Sequence, residues 1–171
     1  MSRNEQPRPA GVALLLFAST LPVMAGAMIA PAQPAIEAAF AGIANSELLV
    51  RLVLTTPAIG VVLGAPVSGW LCDRFGRVRV LLAGLALYAA GGTAAAALPS
   101  LMLILASRLV LGFGVSAVLT ALTTLSGDYF HGPARARFIG AQSACMAGGA
   151  LVYLVLGGWL AGLHWRLPFL I

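Results

Sequence analysis

This chain of 171 residues has no lysine, only five acidic residues and only two cysteines, and each shortage removes a class of function. Without lysine, no glycine-rich phosphate loop can end in Gly-Lys-Ser or Gly-Lys-Thr, and no HExxH pair is present. Cys72 and Cys145 fall at the end of one apolar run and inside another, a placement that suits neither a disulfide nor a thiolate metal site. Both read as small apolar fillers. Charge of either sign is scarce, at 9% of residues against about 25% in a soluble domain. Neither an enzyme nor a cofactor is expected.

What is present is hydrophobic length. Apolar residues make up 60% of the chain. Five runs, at residues 11–30, 48–72, 78–98, 101–127 and 138–163, each reach the ~20 residues that cross a ~30 Å hydrocarbon core. A soluble helical core would need polar stripes at period 3.6, and these runs are apolar on all sides. The expected fold class is therefore all-α, a polytopic transmembrane helical bundle with about five spans. Residues 1–10 read as a cytoplasmic tail, residues 11–171 as the membrane domain, and a sixth span is expected to start from 167. A secretory signal over residues 1–30 is the competing reading, because Ala25-Gly26-Ala27 mimics a cleavage site. The run continues to Ala30, longer than a usual signal core, and a first span makes the arginine pattern below consistent.

The net charge of +5 does not describe a nucleic-acid surface, because the arginines sit between the spans instead of along one face. Arg3, Arg8, Arg74, Arg77, Arg79, Arg135 and Arg137 fall on one side by alternation, and only Arg51 and Arg166 on the other. The positive-inside rule puts the first group, with the N-terminus, in the cytoplasm. The stretch from Pro31 to Glu47 is expected as the longest outer linker, and Leu98-Pro99-Ser100 alone joins spans three and four into an antiparallel hairpin. Gly60, Gly64 and Ser68, four apart, predict a close-packing stripe on span two, and Gly158 and Gly162 a similar one on span five.

Between spans two and three, Gly69-Trp-Leu-Cys-Asp73-Arg74-Phe-Gly76-Arg77-Val-Arg79 packs an acid, three arginines and two glycines into a tight turn. Gly69 would admit close helix contact, Gly76 would supply left-handed backbone, and Asp73 could face the positive end of a neighbouring helix. The arginines could pair with Asp73, with lipid headgroups or with Asp128 at the end of span four. A topology anchor would need only the arginines, so the extra acid and glycines favour a latch. Arg108 is the one ionisable group well inside a span, about 10 Å from its outer end. It either snorkels outward or faces a bundle interior. No Asp or Glu lies mid-span. Thr55, Thr56, Gln142 and Tyr153 could line a cavity or bond a neighbouring backbone carbonyl. His131 and His164 fall on opposite sides and can share no metal.

These residues resemble a known family. The run from Gly69 to Arg79 looks like the signature loop between the second and third helices of the major facilitator superfamily of secondary transporters. Arg108-Leu-Val-Leu-Gly112-Phe-Gly114 resembles its fourth-helix motif, with Leu111 where a Gln is common. The segment His164-Trp165-Arg166-Leu-Pro168-Phe169 looks like the junction before the sixth helix of many bacterial members. A fifth-helix antiporter pattern would align Gly149 and Gly157-Gly158, but Tyr153-Leu154 replaces its central Gly-Pro. The resemblance implies an incomplete N-terminal half of a transporter in the bacterial inner membrane. Its expected partners are a small-molecule solute, the lipid bilayer and a C-terminal half. It also implies alternating access with the Asp73 turn as latch, an inward-facing Arg108, and a coupling acid that lies elsewhere or is not used. A membrane-embedded assembly protein or non-transporting remnant is the alternative.

Overall fold

A computed structural model describes residues 9–43 and 45–170; Arg3 and Arg8 lie outside them. The described residues form six α-helices: α1 (Pro9–Ala27), α2 (Gln33–Ala39), α3 (Ser46–Phe75), α4 (Arg77–Ala97), α5 (Leu101–Tyr129) and α6 (Gly132–Leu163). Short 3₁₀ turns at Ala30–Ala32 and Leu167–Phe169 complete them. Helices are what hydrocarbon demands, because each one satisfies its own backbone N–H and C=O groups without water. Five helical stretches are long and apolar enough to cross a membrane, the first being α1 with its 3₁₀ turn and α2.

The helices overrun the apolar runs by a few residues where charge begins, as at Arg74 and Arg135. Leu98, Pro99 and Ser100 are the whole connection between α4 and α5, as the sequence predicts. The Pro31–Glu47 linker is corrected: most of its first half is helical. Pro31 sits in the 3₁₀ turn and Pro34 in the first turn of α2. A proline there costs nothing, because the missing N–H has no intrahelical partner to lose. Pro22 lies inside α1 without ending it.

Close packing is organised around α5. Residues two apart on a helix point about 200° apart, so Gly112 and Gly114 face opposite ways. Gly112 abuts α3, where a Cβ would come within 2.9 Å of the Gly60 Cα. Gly114 abuts α4, where a Cβ would stand 2.6 Å from the Tyr88 backbone nitrogen. The predicted Gly60-Gly64-Ser68 stripe is the α3 half of the first seam, and its Ser68 Oγ meets Ser116 Oγ at 3.4 Å. Gly84, Tyr88, Gly91 and Ala95, buried along α4, form the second.

The stripe predicted on span five is shifted. Gly162 meets nothing and Gly158 only the Pro31 side chain, whereas a Cβ on Gly157 would stand 2.7 Å from the Met28 Cα. Gly149, eight residues before Gly157, packs on Thr20. The α1–α6 seam therefore runs one residue off the expected phase. One core gathers Ile29, Ile36, Val50, Val53, Ile104 and Phe169 near the Leu98–Ser100 turn. A second holds Leu15, Val118, Leu122, Leu125 and Phe138 towards the opposite end. Outward-facing Leu14, Phe17, Val62, Leu151 and Val155 are exposed, as lipid contact requires.

Candidate functional site

The charged turn is a one-residue hinge between two helices. α3 ends at Phe75, α4 starts at Arg77, and Gly76 between them has φ +89°. Only glycine adopts that backbone without a Cβ penalty. Its N–H donates to the Cys72 carbonyl at 3.1 Å, closing the last turn of α3. Arg77, the first residue of α4, forms an ion pair with Asp128 next to the end of α5. The hinge is thereby tied to a third helix from 51 residues further along the chain.

The other charges of the turn are left open to partners. Asp73 is exposed, and among the described residues its carboxylate forms no ion pair. Arg74 lies over the rings of Trp70, at 5.2 Å, and Phe75, at 5.8 Å. Arg79 is exposed at the edge of an apolar groove between α3 and α4. Of the pairings the sequence allows, the structure selects Arg77 with Asp128. The close contact expected of Gly69 is absent: a Cβ there would meet nothing within 4 Å.

Arg108 does not snorkel. It is 2% exposed, its Nη2 donates to the Gly92 carbonyl at 2.9 Å, and its guanidinium stands 4.7 Å from the Phe169 ring centre. It borders a cavity of about 270 Å³ between α1, α4 and α5. There Tyr88 donates its hydroxyl to the Leu21 carbonyl at 2.8 Å. Among the described residues, the guanidinium Nε has no hydrogen-bond partner. Arg51 behaves as an exposed surface charge paired with Glu47 four residues before it.

The four polar candidates for a cavity do not converge. Thr55 and Thr56 turn back to the Leu52 carbonyl of their own helix, at 3.5 Å and 2.6 Å. Gln142 is half-buried on α6. Tyr153 shares a 2.8 Å hydroxyl–hydroxyl hydrogen bond with Thr20, clasping α6 to α1. His131 and His164 lie at opposite ends of α6, as expected.

Sequence reasoning missed Tyr88, Thr20 and a second left-handed glycine, Gly132 with φ +54°, at the start of α6. Gly132-Pro133 carried a signal for the last, since a proline in a helix's first turn marks its start. Tyr88 had a weaker one, its place between Gly84 and Gly91 on one helical face.

Against known proteins, the family model described as Major Facilitator Superfamily matches residues 15–171. The bacillibactin exporter of Bacillus subtilis is 28% identical over 153 residues, which is 85% of this chain and 37% of that protein. The niacin transporter NiaP of Acinetobacter baylyi is 35% identical over 114 residues, 66% of this chain and 26% of that protein. The class G tetracycline resistance protein of Vibrio anguillarum is 36% identical over 118 residues, 69% of this chain and 30% of that protein. The chain thus spans about a third of the length of these relatives. On the family match and the five membrane-length helices, this integral membrane chain belongs to the Major Facilitator Superfamily, whose members carry small solutes across membranes.

Proposed function

We propose that the chain is the N-terminal portion of a secondary transporter. It moves a small organic solute across the bacterial cytoplasmic membrane by alternating access, with residues 1–10 and the Gly69–Arg79 turn on the cytoplasmic side. The observation that carries the reading is the Gly76 hinge, fixed by Arg77–Asp128 while Asp73 stays exposed and, among the described residues, forms no ion pair. In this reading Gly76 sets the angle between α3 and α4, and the ion pair holds α4 to α5. Asp73 then presents its charge to the C-terminal half of the same transporter. A carboxylate gains about 0.3–1 kcal/mol against a facing helix N-terminus, enough to bias two conformations without locking either. Five of the arginines, at 74, 77, 79, 135 and 137, flank this face of the bundle, which supports its cytoplasmic side by the positive-inside rule.

Arg108, Gly112 and Gly114 act in this reading as organisers of the α4–α5 and α3–α5 seams. Thr55, Thr56 and Gln142 offer polar groups along α3 and α6 for a solute, while Tyr153 is engaged with Thr20. The bacillibactin and niacin relatives support a small organic solute as the class.

The test is solute flux in vesicles containing the protein as the cell makes it. Asp73→Asn is expected to slow transport severalfold while membrane insertion and yield stay at wild-type levels. Unchanged flux would remove the latch. Loss of insertion would make Asp73 a folding residue instead.

A further inference from the structure

α3 and α4 both lean on α5 and barely touch each other, which leaves a groove between them. Its walls are Val67, Leu71 and Phe75 on α3 and Ala83 and Leu87 on α4, with Phe113 of α5 as part of the floor. Arg79 stands at the edge, at the end where α4 begins. We propose that this groove holds one acyl chain of an anionic phospholipid, with the phosphate on Arg79.

Size selects the occupant. From Gly64 to Phe75 the groove runs about 16 Å along α3, close to the ~15 Å of a single leaflet's hydrocarbon. Its lining is almost wholly apolar, Arg79 and Ser68 apart. That length and those apolar walls match one extended hydrocarbon chain.

Charge selects the headgroup. The guanidinium of Arg79 is exposed and, among the described residues, forms no ion pair. An arginine at a membrane edge can lay its aliphatic stem along apolar surface while its head reaches the interface, and Arg79 is both exposed and a residue of the groove. A planar guanidinium takes a phosphate in a two-point hydrogen bond. Asp73, the nearby acid, is not among the groove's residues. The proposal needs only the membrane-spanning fold, so its failure leaves the transport reading untouched, and the reverse.

The experiment uses the protein as the cell makes it, reconstituted with spin-labelled phosphatidylglycerol or phosphatidylcholine. The motionally restricted fraction of each lipid is read by electron paramagnetic resonance. The wild type is expected to retain phosphatidylglycerol preferentially. Arg79→Gln should cut that preference about fivefold, the effect of removing one arginine near an anionic surface, and Arg79→Lys should keep most of it. Ala83→Trp, which fills the groove from an exposed position, should lower retention of both lipids. An unchanged lipid preference in Arg79→Gln overturns the proposal. So does an Ala83→Trp variant that changes the oligomeric state but not lipid retention, which would assign the groove to a second copy of the chain.

Discussion

α5 and α6 are of similar length, 29 and 32 residues, and both are apolar enough to span a bilayer. Yet 61% of the spanning window of α5 is buried inside the bundle, and 6% of that of α6. Glycine content does not explain the difference, since α6 carries more glycines than α5. What matters is whether a glycine meets backbone. Gly112 and Gly114 of α5 have another helix's main chain in the place of their missing side chains, and Gly140, Gly148 and Gly162 of α6 have nothing within 4 Å. Small residues in a membrane helix permit approach, and the approach itself decides the energy through packing.

The sharpest way to break this comparison is one substitution made on both helices. Gly112→Val must force α3 from α5, because the contact is main chain on both sides. It is expected to cost about 3 kcal/mol, read as loss of monodisperse protein or a large fall in Tm. Gly148→Val on the exposed side of α6 should stay within about 0.5 kcal/mol. Equal losses at the two sites would show that glycine backbone freedom, and not helix contact, sets stability here.

A smaller effect is expected at Gly157, the one described glycine of α6 whose Cβ would meet main chain, that of Met28. Gly157→Ala should cost about 1–2 kcal/mol, because α1 has no helix behind it as extensive as those flanking α5 and can shift. The smallest is Tyr153→Phe, which removes one hydroxyl from the Thr20 pair and should cost about 0.6 kcal/mol. A double-mutant cycle with Thr20→Val measures that coupling by thermal unfolding in detergent. A coupling near zero would leave the fastening of α6 to its glycine and apolar contacts, Phe138 among them.

The spans were legible in the sequence because hydrocarbon imposes length and composition on them. The α3 stripe of Gly60, Gly64 and Ser68 was legible for a related reason, since small residues four apart can only form one line. The Gly76 turn and the Arg77–Asp128 pairing were within reach of charge placement and backbone chemistry. Helix phase was not. Nothing in the residues of α6 alone chooses Gly157 over Gly158 and Gly162, because that choice belongs to the surface of α1. The inward set of Arg108 had the same problem: its acceptor is a main-chain carbonyl, at Gly92, which leaves no trace in residue type. The helical stretch after Pro31 was hidden because proline opens helices as readily as it closes them.

The two-sided seating of α5 has a mechanical consequence. With main chain against main chain on both flanks, α3, α4 and α5 form one stiff plank, and the softer joints are those to α1 and α6. At 29 residues, α5 is about 43 Å long. Pivoted at one end, a tilt of about 5° sweeps its far tip through about 4 Å, roughly the width of a methylene chain, with no seam inside the plank having to slip.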